Sequence, residues 1–309
     1  MSKLENHTAI VKQTAQALGF EFCGIARAVK LEDDARRLEQ WLNKGMHGTM
    51  QYMENYFDLR IDPTKLVPGA KSVITLLLNY YPEAQQQIES PKIARYAFGK
   101  DYHDVIRAKL HAFIAQLKSS IGDIDGRGFV DSAPVLERTW AQKTGLGWIG
   151  KNGNLINKNS GSYFFIATLI TDIELLYDTP LAKDYCGSCT KCIDLCPTDA
   201  ILPNKVIDGS KCIAYFTIEL KDALIPENMK GQFNQWMFGC DVCQEVCPWN
   251  RFAAPTKEIA FQPIPAVLDF TVNEWMELTE ESFKRIFKDS PIKRSKWTGI
   301  RRNLRFIQS

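Results

Sequence analysis

A chain of 309 residues with 45% hydrophobic and 24% charged residues has an ordinary globular composition and can bury one large core or two smaller ones. A net charge of +2 excludes polyanion binding by bulk charge, and no stretch reaches the eighteen or so apolar residues that a membrane-spanning helix needs. The opening "MSKLENHTAIVKQTAQALGF" has no apolar leader, so the expected location is the cytoplasm, where nine cysteines argue for metal rather than disulfides.

In chain order, periodicity predicts a helix over residues 5–18, then an apolar strand at "FEFCGIARA" with Cys23 in the core, then a charged helix over 31–43. "KSVITLLLNYY" reads as a buried strand, short and flanked by Pro-Gly and Tyr-Pro. Asp101 caps a long amphipathic helix through Ile106, Leu110, Phe113 and Leu117. "GRGFVD" is a short strand, Pro134 to Thr144 a helix stopped by Gly145, and "SYFFIATLIT" another buried strand. These elements define an α+β or α/β-type first domain over residues 1–178.

A second domain, over 179–255, holds eight of the nine cysteines in short, proline-rich elements. Residues 256–309 form a helical third segment ending in a basic stretch: between Lys284 and Arg305, Asp289 is the single acid among many bases. Such a stretch is either a solvated face or a surface for a polyanion.

Cys186, Cys189, Cys192 and Cys196 follow the C-x-x-C-x-x-C-x-x-x-C-P spacing of bacterial ferredoxins, in which the fourth cysteine serves the other cluster. Zinc fits poorly, because it usually draws on separated C-x-x-C pairs. The second run, "GCDVCQEVCPWN", begins one cysteine short, with Met237 at the missing position. If the fourth cysteines cross over, Cys247 joins Cys186, Cys189 and Cys192, while Cys196 joins Cys240 and Cys243. Cys212 is the unassigned cysteine of this region and is expected to complete the second set. Two [4Fe–4S] clusters make a one-electron conduit, so the first domain should hold an acceptor.

Two motifs in that domain are incomplete. "GLGWIG" matches G-x-G-x-x-G but follows a helix and precedes a loop, the wrong context for a dinucleotide. "DYHDVI" lacks the glycine of the D-x-H-x-x-G motif through which some proteins ligate cobalt by histidine. Asp131, at a strand end before a helix, reads either as that helix's cap or as an acid whose pKa partial burial raises.

Taken together, "LRIDPTKLVPGAKSVITLLLNYYP", "RYAFGKDYHDVI", "VDSAPVLERTWAQKTGLGWIGKNGNLI", "CGSCTKCIDLCPTDAI", "SKCIAYFTIELK", "GCDVCQEVCPWN" and "SPIKRSKWTGIRRN" resemble the epoxyqueuosine reductase family, in order and over nearly the whole chain. The resemblance implies a nitroreductase-like domain binding base-off cobalamin, a ferredoxin-like domain with two [4Fe–4S] clusters, and reduction of epoxyqueuosine to queuosine at the tRNA wobble position with loss of water. Asp131 matches the family's acid. Arg60, Tyr96, Lys151, Asn152, Asn154, Ala214 and Asp241 lie in matching stretches as candidate cobalamin contacts, and Arg301 and Arg302 as candidate tRNA contacts. An external low-potential donor of flavodoxin or ferredoxin type and a monomeric state are expected. Many members continue into HEAT-like repeats, whereas this chain stops after "RRNLRFIQS". Competing readings are a small-molecule corrinoid reductase of dehalogenase type and a corrinoid electron-transfer partner without its own substrate.

Overall fold

The computed structural model describes residues 2–221 and 224–309. The larger N-terminal elements are α1 (Lys3–Ala17), β1 (Phe22–Arg27), α2 (Glu32–Asn43), β2 (Ser72–Asn79), α3 (Tyr102–Ile121), β3 (Gly126–Phe129), α4 (Glu137–Lys143) and β4 (Phe164–Thr171). The four strands form one sheet in the order β1-β2-β4-β3, each neighbouring pair antiparallel.

Every residue of β2 is buried, because helices cover both faces of the sheet. Alternation sorts its side chains. Ile74, Leu76 and Leu78 share a core with Val11 of α1 and with Ile106, Leu110 and Phe113 of α3. Val73 and Leu77 turn to the other face, where Trp140 and Ala141 of α4 pack. The end of α4 presses on β1 at Gly24, where a Cβ would stand 2.5 Å from the carbonyl oxygen of Thr144.

Two local expectations change. α4 starts at Glu137 instead of Pro134, so Asp131 lies in a loop and not at the helix end. The segment after "GLGWIG" is not all loop, since Trp148–Ile149 pairs with Leu155–Ile156 in a short hairpin. Gly147 belongs to its packing, for a Cβ there would collide with the carbonyl oxygen of Ile156.

The C-terminal segment shares a core with earlier parts of the chain. Trp275, Phe287, Trp297 and Ile300 are buried together with Ile93, Phe98, Met237 and Phe238. The earlier parts are themselves joined there by a parallel pairing of Lys92–Ile93 with Trp236–Phe238. Met237, where a regular second cysteine run would begin, is therefore a fully buried core residue in a strand.

After Cys212 the chain makes a π-helical turn, Tyr215–Glu219, of the kind often found at functional sites. The last helix, α5 (Lys296–Ile307), clasps it. Arg302 donates to the carbonyls of Phe216 (2.6 Å) and Leu220 (2.8 Å). The fully buried Asn303 donates to the carbonyls of Thr217 (2.8 Å) and Met237 (2.9 Å). Among the described residues, no helix is long and apolar enough to cross a membrane.

Candidate active site

Three adjoining cavities of about 610, 490 and 330 Å³ all include Asp131 in their walls. Asp131 follows β3 with φ of 52°, a left-handed conformation that non-glycine residues seldom adopt and that tends to occur at functional sites. Its capping role fails: α4 has Leu136 at its N-cap and no side-chain cap bond. The Asp131 carboxylate instead accepts a short hydrogen bond from the Tyr102 hydroxyl and lies 3.4 Å from Nε2 of His103. Nδ1 of His103 is 2.8 Å from Asp101, which also receives the His103 backbone N–H as the cap of α3. Lys293 closes the line, 3.1 Å from the other Asp101 oxygen.

These contacts decide where the proton rests. Burial opposes charge on His103, but hydrogen bonds to Asp101 and Asp131 outweigh it and raise its pKa to about 9. Burial also acts to raise Asp131, yet the bonds from His103 and Tyr102 prevail and hold the carboxyl below its ordinary value. The expectation that burial raises Asp131 is thus reversed, in keeping with a side chain 52% exposed on the cleft. The proton sits on His103. With both ring nitrogens turned to carboxylates, His103 has no lone pair for a cobalt ion. Glu137 lies behind the loop, its carboxylate accepting the Asp131 backbone N–H at 3.0 Å, and burial followed by the Asp131 charge raises its pKa to about 8.

The candidate cofactor contacts separate into two groups. Arg60 lines the largest of the three cavities, donates to the Tyr52 carbonyl at 2.7 Å, and keeps a buried Nε without a partner. Such a nitrogen suits a polar ligand in the cleft. Tyr96 borders two cavities, while Asn154, Ala214 and Asp241 line the smallest together with Cys240. Burial raises Asp241 to about 6 although its carboxylate accepts the Arg95 N–H at 2.7 Å. Lys151 and Asn152 stand apart from the cleft: Lys151 donates to the carbonyls of Gly187 (2.8 Å) and Cys189 (2.9 Å), Asn152 to that of Cys243 (3.0 Å). They brace the cysteine loops.

The eight cysteines fall into two groups that cross between runs. Cys186, Cys189, Cys192 and Cys247 line one recess of about 200 Å³. Burial and then the charges of Cys186 and Cys247 push the Cys192 thiol up to about 11. In the other group, burial raises Cys212, Cys240 and Cys243, and Cys196 adds to each. Among the described residues no three His, Cys, Asp or Glu side chains converge tightly enough for one metal ion.

Sequence reasoning missed His103, Tyr102, Glu137, Glu219 and Arg294 as parts of this site. Arg294 pairs with Glu219 of the π-helical turn at 2.8 Å and borders both larger cavities. Arg294 also leads into a groove of about 980 Å³ lined by Lys221, Lys230, Lys296, Arg301, Arg302 and Arg305. Arg301 lies over the ring of Trp297 at 5.5 Å. Arg302 is occupied with the carbonyls it clasps, and Trp297 is buried instead of facing solvent.

A cleft walled by an acid, beside two four-cysteine groups, has the make-up of an iron–sulfur oxidoreductase. The family model described as epoxyqueuosine reductase QueG, DUF1730 matches residues 60–132, and a 4Fe-4S double cluster binding domain matches 185–250. The epoxyqueuosine reductase of Cyclobacterium marinum is 57% identical, covering 100% of this chain and 99% of its own, and that of Pseudomonas aeruginosa is 40% identical, covering 95% and 82%. An epoxyqueuosine reductase solved with an epoxyqueuosine-modified tRNA-Tyr stem loop superposes with a TM-score of 0.86 at 29% identity, over 96% of this chain and 79% of that one. The Bacillus subtilis enzyme, solved with its catalytic aspartate loop swung out of the active site, gives 0.88 at 27% identity over the same shares. The chain belongs to the epoxyqueuosine reductase family. It is an oxidoreductase that reduces epoxyqueuosine to queuosine in tRNA with cobalamin and two [4Fe–4S] clusters, and not a small-molecule reductase or a bare electron carrier.

The raised His103 pKa has a measurable consequence. The charged imidazole stabilises the fold fully below its ordinary 6.5, and that contribution disappears as pH rises through about 9. Glu137 adds a decline between 4.5 and about 8, so the comparison must be between proteins. His103→Gln should show a smaller fall in thermal midpoint than the wild type across the window from 6.5 to about 9. Parallel curves would contradict the assignment.

Proposed function

We propose that Asp131 relays a proton from the His103 imidazolium to the oxygen leaving the epoxide. Converting an epoxide to an alkene and water consumes two electrons and two protons, so one relayed proton does not suffice. The neighbouring imidazolium, at 3.4 Å, and the neutral Glu137 carboxyl behind the loop give the site further protons to draw on. The observation that carries this reading is the position of Asp131 in the walls of all three cavities, hydrogen-bonded to groups that hold protons at neutral pH. The loop motion named for the Bacillus subtilis enzyme supports a left-handed Asp131 loop that opens and closes here.

Cobalamin, when bound, supplies low-potential two-electron chemistry at cobalt. Arg60, Tyr96, Asn154, Ala214 and Asp241 would hold it in the cleft. Cys186, Cys189, Cys192 and Cys247 would ligate one cluster, and Cys196, Cys212, Cys240 and Cys243 the other. The second group is the one that reaches the cleft, through Cys240 in the wall of the 330 Å³ cavity. With both clusters in place, electrons would enter at the one held by Cys186, Cys189, Cys192 and Cys247 from an external low-potential carrier and would reach the cleft through the other. The enzyme acts as a monomer in the cytoplasm.

The tRNA backbone follows the basic groove from Arg294 towards Arg305, with Arg301 and Lys296 in contact with phosphates. Arg302 acts behind them by fixing the groove wall. Reversing Lys296 and Arg301 to glutamate should weaken tRNA binding at least about tenfold and flatten its salt dependence, as read by filter binding across a salt series. Unchanged affinity and slope would remove the groove from the account.

The main test is Asp131→Asn. The variant should keep its iron, its bound cobalamin and its tRNA affinity, yet convert epoxyqueuosine to queuosine at least about a hundredfold more slowly, as followed by nucleoside mass spectrometry. Conversion at near the wild-type rate would sink the role given to Asp131.

A further inference from the structure

Electrons must reach the first cysteine group from outside, and the surface beside it has its own chemistry. The recess holding Cys186, Cys189, Cys192 and Cys247 is bordered by Lys151, Lys191, Arg251, Tyr185 and Trp249, and among the described residues by no carboxylate. It shares no lining residue with the cavities around Asp131. A partner bound there leaves the tRNA cleft open.

The rim is built of aromatic rings topped by cations. Trp249 stacks edge-on against Trp148 at 5.0 Å and lies 6.1 Å from Tyr185 and 6.0 Å from Phe252. Lys158 stands over Tyr185 at 5.4 Å, and Arg251 over Phe252 at 4.3 Å. Tyr185 and Phe252 are 38% and 40% exposed, and Leu195 nearby in sequence is 53% exposed. Of the acids near these cysteines in sequence, Asp184 is paired with Lys205 at 2.6 Å and accepts the Cys186 N–H, while the exposed Asp194 accepts from Thr190 at 2.7 Å and keeps its charge. Aromatic rings with arginine make effective interface anchors, and a one-signed rim steers an oppositely charged partner.

We propose that this cationic aromatic rim is the docking surface for an acidic one-electron carrier protein that reduces the first cluster. The proposal rests on the two-cluster reading above and adds the site and charge of the donor. Two single-electron deliveries are needed per epoxide, so the carrier must leave after each. A small, charge-steered contact gives that rapid exchange, as is usual for electron-transfer encounters. Lys158 and Arg251 provide the steering charge, and Tyr185 and Phe252 the apolar contact beside the thiolates.

The test uses the cluster-loaded protein without tRNA, so its outcome is independent of whether the cleft reduces an epoxide. Cluster bleaching is followed after mixing with a reduced flavodoxin or, separately, with reduced methyl viologen, a small cation that needs no docking surface. A Lys158→Glu, Arg251→Glu double variant should retain its iron and its viologen rate. Its flavodoxin rate should fall at least about tenfold at low salt, and most of the wild-type salt dependence should vanish. An unchanged flavodoxin rate would overturn the proposal. An equal fall with viologen would also overturn it, because the damage would then lie in the cluster and not at a docking surface.

Discussion

The clasp of α5 on the π-helical turn is the constraint on which the rest of the site depends. Phe216, Thr217 and Leu220 present carbonyls that Arg302 and Asn303 satisfy from within a buried interface. A π-helical turn leaves backbone groups without their regular partners, and a buried carbonyl without a donor costs roughly 1–3 kcal/mol. These side chains make the irregular turn tolerable. Fixed in this way, the turn carries Cys212 just before it, Ala214 at its start and Glu219 at its end, so one short element reaches the second cysteine group, the cleft and Arg294.

The same arrangement accounts for the irregular second cysteine run. A cysteine at 237 would have to leave a strand whose side chain is fully buried between Phe238 and the aromatic core of the C-terminal segment. Methionine keeps that core, and on the proposed assignment the fourth thiol is that of Cys212, on a separate element. The displacement brings Cys212 onto the element that also lines the cleft. A regular second run would have drawn all eight ligands from the two runs themselves, with none on this element.

Much of this was legible in the chain. Spacing, read with the ferredoxin rule that the fourth cysteine serves the other cluster, leads to two crossing sets with Cys212 added as the one left over, and the apolar runs at 72–79 and 164–171 locate the central strands. Asp131 stood out at the end of "GRGFVD". The role of its neighbours was hidden, because His103 reads as a residue in the first turn of a capped helix. Only the packing of α3 beside the β3 loop turns its ring between Asp101 and Asp131. Glu137 was hidden for a related reason: six residues along a loop from Asp131, its contact depends on a left-handed backbone that no propensity announces. Arg302 looked like a phosphate contact because a basic stretch does not reveal which guanidinium turns inward.

The central claim is that the displaced ligand, Cys212, ties the second cluster to the cleft. It is tested most directly by iron content and electron paramagnetic resonance of reduced Cys212→Ser protein loaded with cobalamin. The account predicts fewer than the roughly eight irons of two four-iron clusters. The signal of the second cluster should be altered or lost, that of the first retained, and cobalt reduction through the protein impaired. A variant with all eight irons, both signals intact and normal cobalt reduction would contradict it.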